Sequence, residues 1–343
     1  MQKSSSPIRK PVWCASVVLA LCLAGCGGSS RDPILGNGFV ADPVTRLPGT
    51  PFGAVVSPGS AGAAIQPGQA NQPNQPNQPV QPALVNLPNL PPLLASASSY
   101  GIFGGSAGMT NQGILTVVNG DIGTTAVGTS SITGFHDSPP SDIYTETGAN
   151  KGNVTGKIYT CTVSTTGPTS AAVNPVSCTR ATNALADARV AYNALKGLPA
   201  GSDPSTAGGN LGGLRLAPGV YTAAGSSFRI QNADLTLDAQ GNANAVFVFQ
   251  MATTLTVGGP GAAFPQRITL VNGALAKNVY WQVGSAATIN AAGGGEMAGT
   301  IIAEQGVTVS TAGTPPTAVL NGRALSLNAS VTLVDTVITV PAP

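Results

Sequence analysis

The sequence predicts an all-β solenoid, in which coils of short strands stack into one column and a single long α-helix packs along one face. Three observations lead there. Charged residues make up 8% of the 343 residues, where about 25% is usual for soluble domains. Aromatics reach only 5%, while Gly (44) and Pro (28) are abundant, a balance that suits short strands joined by Gly-rich corners better than a globular enzyme core. Residues 205–340 are also weakly self-similar, with an irregular period of roughly 20 to 34 residues, as expected for coils of three strands with variable corners. Finally, one Ala-rich helical pattern accompanies strand runs that are apolar at nearly every position.

From the N-terminus, Lys3, Arg9 and Lys10 precede an apolar stretch, residues 12–23, too short to span a bilayer and of signal-peptide form. It ends in Leu23-Ala24-Gly25-Cys26, which resembles the lipobox of bacterial lipoproteins. That resemblance implies cleavage after residue 25 and lipidation of Cys26. Gly27 rather than Asp follows, so an exported, lipid-anchored protein at the outer membrane or cell surface is expected. Residues 26–97 read as a tether. The tripeptide repeat of residues 71–79 (Asn-Gln-Pro) and many isolated Pro and Gly suit an extended chain with a flexible reach of roughly 45 Å.

The folded part is expected over 98–340. Leu115-Thr116-Val117-Val118 and Ser131-Ile132-Thr133 are strand-like. Residues 137–178 read as an irregular insert or cap. A helix is expected within 180–197, most clearly over 182–196, where Ala184, Leu185, Ala188, Ala191, Tyr192 and Leu195 form one apolar stripe. Thr179 or Thr182 is the expected N-cap, and Gly197 with Pro199 the stop. Roughly 15 residues reach about 22 Å, four to five coils at about 4.8 Å each. Of five Cys, Cys14 and Cys22 leave with the leader and Cys26 takes lipid. Cys161 and Cys178 remain, and a disulfide between them is expected, contributing about 3 kcal/mol by loop closure.

Two strand series alternate along the repeats. One, around Phe247-Val248-Phe249 and Tyr280-Trp281-Gln282, reads as covered on both sides, and the Ala-rich helix is the available cover. In the other, Leu255, Ile289, Val309 and Leu333 fall inward. Thr254, Thr288, Thr308 and Thr332 then form one outward column, and Thr256, Asn290 and Ser310 the next, with Arg229 on the preceding coil and Val334 interrupting the second column.

The helix followed by Gly209-Asn210-Leu211-Gly212-Gly213-Leu214 and Leu216-Ala217-Pro218-Gly219-Val220-Tyr221 resembles the ice-binding (antifreeze) proteins. So do Leu235 to Gly241, Ala245 to Gln250, Asn278 to Gly284 and Leu320 to Leu325. The resemblance covers about residues 98–340. It implies a discontinuous, right-handed, three-faced β-solenoid with a long helix along one side, binding ice through a flat face. Residues i and i+2 on a strand lie about 6.6 Å apart and coils about 4.8 Å, a grid with spacings comparable to those of an ice lattice. Thr suits such a grid, because its stiff χ1 fixes a methyl and a hydroxyl together.

The alternative reading is a surface-anchored adhesin or structural protein that binds polysaccharide or a protein partner through the same face. An enzyme is not expected. Polysaccharide cleavage needs clustered carboxylates on one face, and no two acids stand two apart on a strand. His136 and Asp137 precede Pro139-Pro140 in a turn; Asp142 and Glu146 are the acids of the insert that could contact a cation; Asp121 and Asp238 sit at Gly-containing corners. No Gly-rich phosphate loop precedes a helix. The net charge of +2 gives no field to recruit nucleic acid. No cofactor or metal is expected, no membrane contact beyond the lipid anchor, and the chain reads as a monomer.

Overall fold

The computed structural model describes residues 93–258, 266–290, 294–310 and 317–342. The leader, Cys26 and the tether as far as residue 92 lie outside the described residues. Within them the chain is mostly β with one helix, and nearly all strand pairs are parallel. A seven-stranded parallel sheet, here the threonine sheet, runs in the order Phe228–Ile230, Leu255–Val257, Ala287–Asn290, Val307–Ser310, Val331–Val334, Met109–Asn111, Ile132–Thr133. A three-stranded sheet joins Arg215–Leu216, Leu235–Asp238 and Ile268–Val271.

The largest sheet has 13 strands. It runs Gly219–Thr222, Phe247–Met251, Val279–Val283, Glu296–Ala303, Ala318–Ser326, and then forks. The first half of Ala318–Ser326 pairs with Thr336–Thr339, its last residues with Tyr100–Gly104. The bend at the fork needs glycine: a Cβ on Gly322 would stand 1.9 Å from the carbonyl oxygen of its register partner Gly299, itself at φ +104°.

Stack order departs from chain order. Met109–Asn111 and Ile132–Thr133 follow the C-terminal strand Val331–Val334, so residues 100–160 build one end of the stack and residues 215–339 the rest. The chain must therefore travel back along the stack, and α1 (Pro175–Lys196) makes that journey. Eight strands stand in register from Gly219–Thr222 to Ile158–Thr160, about 34 Å at 4.8 Å per step. The helix has 22 residues, about 33 Å at 1.5 Å per residue. It is thus longer than the 182–196 stripe indicated, and spans the whole sheet rather than four to five coils.

The cap also differs from expectation. Asn174, not Thr179 or Thr182, caps α1, accepting from the N–H groups of Val176 (3.0 Å) and Ser177 (3.2 Å), with Pro175 at the first helical position. The hydroxyls of Thr179 and Thr182 donate back to the Pro175 and Cys178 carbonyls instead. The expected boundary of the 137–178 insert is corrected with it. Gly152–Val154 and Ile158–Thr160 are ladder strands paired in parallel with Val117–Asn119 and Asp121–Thr124, while the antiparallel pairing of Phe135–Asp137 with Ile143–Tyr144 and the isolated antiparallel bridges Ile143–Thr166 and Thr147–Asn150 leave the coil pattern. Phe135 and Tyr144, both buried, close that end of the core; buried Leu211 lies towards the other. The folded part also reaches back before residue 98, since Leu94 and Ala97 are buried against α1.

The core is a set of in-register columns. One inward column reads Tyr221, Phe249, Trp281, Ile301, Ala324, Ile102, Ile122, Ile158. Its three rings stack, with centroids 5.4 Å (Tyr221–Phe249) and 4.0 Å (Phe249–Trp281) apart, and the Trp281 indole N–H donates to Ala298 O at 3.0 Å. On the outer side of the same strands, Val220, Val248, Ile302, Leu325 and Phe103 meet Ala181, Ala184, Ala188 and Ala191 of α1. Small side chains let the helix lie close, as the sequence led us to expect. Gln250 fastens its C-terminus, donating to the Leu195 (2.8 Å) and Leu198 (3.1 Å) carbonyls.

Candidate functional site

The threonine sheet carries the most regular outward pattern among the described residues. Alternation sends Leu255, Ala287, Val307, Val331, Met109 and Ile132 inward as one buried column. The residue after each faces out, and those residues are Thr256, Thr288, Thr308, Thr332, Thr110 and Thr133. Six consecutive coils thus present threonine at one register position, each side chain half-buried between its neighbours. At about 4.8 Å per step the column is about 24 Å long. Beside it runs a second, shorter column of Asn290, Ser310 and Val334.

Placement of the candidate residues differs from the sequence expectation in one respect. Thr256, not Thr254, is the register partner of Thr288, so Thr256 moves into the main column and Thr254 leaves the grid. Thr254 is exposed at the corner before its strand, its hydroxyl 3.1 Å from that of Ser227. The other five, Thr288, Asn290, Thr308, Ser310 and Thr332, stand in the columns expected for them. Thr110 and Thr133 were missed. Their signal, a Thr after an apolar residue in Met109-Thr110 and Ile132-Thr133, was present but only three and two residues long.

The column is uncharged from Thr256 to Thr133. Arg229 occupies the same register position on the first coil and folds away from the grid, donating from Nη2 to Ala207 O at 2.9 Å. It ends the threonine column beneath the 205–210 turn. There Gly209, at φ +77°, brings its Cα so near the Ser227 carbonyl that a Cβ would stand 2.2 Å from the oxygen.

The histidine and the acids weighed in the sequence lie elsewhere and are engaged. His136 Nδ1 meets Glu146 Oε1 at 2.5 Å. Asp137 is 3.4 Å from Lys157 Nζ and accepts from Asp142 N–H. Asp142 Oδ1 accepts from the Ser164 hydroxyl and Thr169 N–H, both at 2.9 Å. The Asp142 and Glu146 carboxylates therefore do not converge, and among the described residues no three His, Cys, Asp or Glu stand where they could hold a metal. Asp121 caps a corner through Lys157 N–H. Asp238 does the same through Gln240 N–H (2.8 Å), Asn272 Nδ2 (2.8 Å) and Arg215. Burial raises the Asp238 carboxyl, but these donors and the guanidinium outweigh it and hold it below its ordinary value. Cys161 and Cys178 are joined as a disulfide, which fastens the start of α1 to the Ile158–Thr160 strand.

The sequence model of the family described as Ice-binding-like matches residues 103–339. Among curated proteins, the "Ice-binding protein" of Nostoc sp. (strain HG1) is 35% identical over 240 residues, 70% of this chain and 71% of its own length. That of Flavobacterium frigoris (strain PS1) is 32% identical over 188 residues, 55% of this chain and 60% of its own length. Among solved structures, the ice-binding protein of the Antarctic ascomycete Antarctomyces psychrotrophicus superposes with a TM-score of 0.53 at 32% identity, covering 73% of this chain and 98% of that one. An ice-binding protein domain of Shewanella frigidimarina gives 0.57 at 26% identity, covering 77% and 99%.

Proposed function

Because this chain belongs to the Ice-binding-like family, we propose that it adsorbs to ice through the threonine sheet, with Thr256, Thr288, Thr308, Thr332, Thr110 and Thr133 as the contact column and Asn290 and Ser310 beside it. One observation carries this reading: six successive coils hold threonine in strict register with no charge between them. Parallel ladders fix the spacing along the stack, and the β-branched side chain fixes the methyl and hydroxyl on each step. Water ordered over such a grid is held by the rigid backbone rather than by mobile side chains. A charged side chain in the column would impose its own hydration shell. We further read the coils as a right-handed, three-faced helix, since parallel crossovers in one sheet are right-handed in nearly all folds.

The leader and Cys26 suit an exported lipoprotein, and the Pro-rich 26–97 segment a spacer. We propose that the domain works as a monomer at the outer membrane or cell surface, binding the cell to ice or shaping ice beside it. No catalytic role is proposed. Purified protein is expected to show thermal hysteresis and to inhibit ice recrystallisation. Thr308→Tyr, at the middle of the column, is expected to abolish both while leaving the unfolding temperature within error. Inactive wild-type protein at high concentration would contradict the proposal and favour a polysaccharide- or protein-binding adhesin.

A further inference from the structure

We propose that a groove beside the C-terminal segment binds an amphiphile with one carboxylate head, of the fatty-acid type, through Arg323 and Lys277. The groove holds about 700 Å3, within the usual range of small-molecule sites. Leu93, Leu94, Val340 and Pro341 give its lining aliphatic surface, and Lys277, Tyr280 and Arg323 line it too.

Arg323 is the unusual member. It continues the outward row Val248, Tyr280, Thr300 past the edge of α1, where the turn Ala95–Ser99 covers it, and only 6% of it is exposed. Nε and Nη2 donate to Ser98 O at 2.9 and 2.8 Å, and Nη1 to Thr300 Oγ1 at 3.2 Å. All three acceptor contacts are to neutral oxygens. The ion pairs among the described residues are His136–Glu146, Lys157–Asp137 and Arg215–Asp238, so this buried cation has no anionic partner there. The second cation of the groove, Lys277, has no acid beside it among the described lining residues either.

Buried charges are paired in folded proteins, because an isolated one forfeits its hydration. Clamping the Ala95–Ser99 turn explains the three hydrogen bonds but leaves the charge without an acid among the described residues. Of the five N–H donors of a guanidinium, two remain, and the planar edge favours a carboxylate. The aliphatic walls require that the rest of the ligand be apolar.

Isothermal titration of the full chain with sodium dodecanoate, below its micelle concentration, tests this. One dodecanoate is expected per chain, and dodecan-1-ol, which keeps the tail but lacks the charge, is expected to bind about tenfold more weakly or worse. Lys277→Gln, at the half-buried rim, is expected to weaken dodecanoate by about fivefold and to leave the alcohol unchanged. No uptake of dodecanoate, equal binding of acid and alcohol, or unaltered dodecanoate affinity in Lys277→Gln would each overturn the proposal. None of these outcomes depends on ice adsorption, which Thr308→Tyr tests on another sheet.

Discussion

The helix-covered sheet and the threonine sheet are built on the same coils, yet they are finished differently on the outside. Both send apolar columns inward in parallel register. Outward, the first offers Val220, Val248, Ile302, Leu325 and Phe103, and α1 lies over them. The second offers Thr256 to Thr133, and no described element covers it. An outward apolar row must be buried by something, whereas an outward threonine row can stay against water at little cost. The fold thus assigns stability to one sheet and leaves the other free to meet a surface.

That division predicts opposite consequences for changes on the two sheets. The largest loss of stability is expected for Trp281→Ala, which removes the ring stacked on Phe249 and its bond to Ala298; about 3–5 kcal/mol is expected by denaturant unfolding. Ala188→Leu, at a fully buried helix contact, should cost about 1–3 kcal/mol by overpacking, because the helix lies close only while its stripe is small. A smaller effect, on the three-stranded sheet, depends on pH. The folded Asp238 carboxyl is held below its ordinary value, so its contribution is full above the unfolded carboxyl value of about 4 and is lost as pH falls through the folded one. Asp238→Asn should therefore be less stable near neutrality and flatten the acid limb of the stability–pH curve.

Much of this was legible in the sequence, for reasons that particular residues make plain. The stripe from Ala184 to Leu195 has the helical period, and the runs around Phe249 and Trp281 lack polar alternation, so helix and covered sheet followed from pattern alone. The first two turns of α1 were hidden because they carry no stripe. Val176 is exposed, Ser177 accepts the Thr160 N–H, and Cys178 is held by the disulfide. The register of Thr254 and Thr256 was ambiguous on physical grounds. A slip of two residues preserves which side chains face inward, and small Ala287 made Ile289 look like the better partner for Leu255. The length of the corner decides it, and sequence periodicity does not report that length. Thr110 and Thr133 were missed because their strands are short and reach the column by stacking on the C-terminal coil, a neighbour about 220 residues away in the chain.

Thr110 joins the contact column only through that non-sequential stacking, which makes it the sharpest test of the proposed surface. Thermal hysteresis of Thr110→Tyr should be measured beside that of Val190→Tyr, which changes an exposed residue of α1. Both side chains point outward, and the unfolding temperature of each variant, measured alongside, separates loss of activity from loss of fold. Thr110→Tyr is expected to lose hysteresis and Val190→Tyr to keep it; retained activity in Thr110→Tyr with loss in Val190→Tyr would rule out the threonine column as the contact surface.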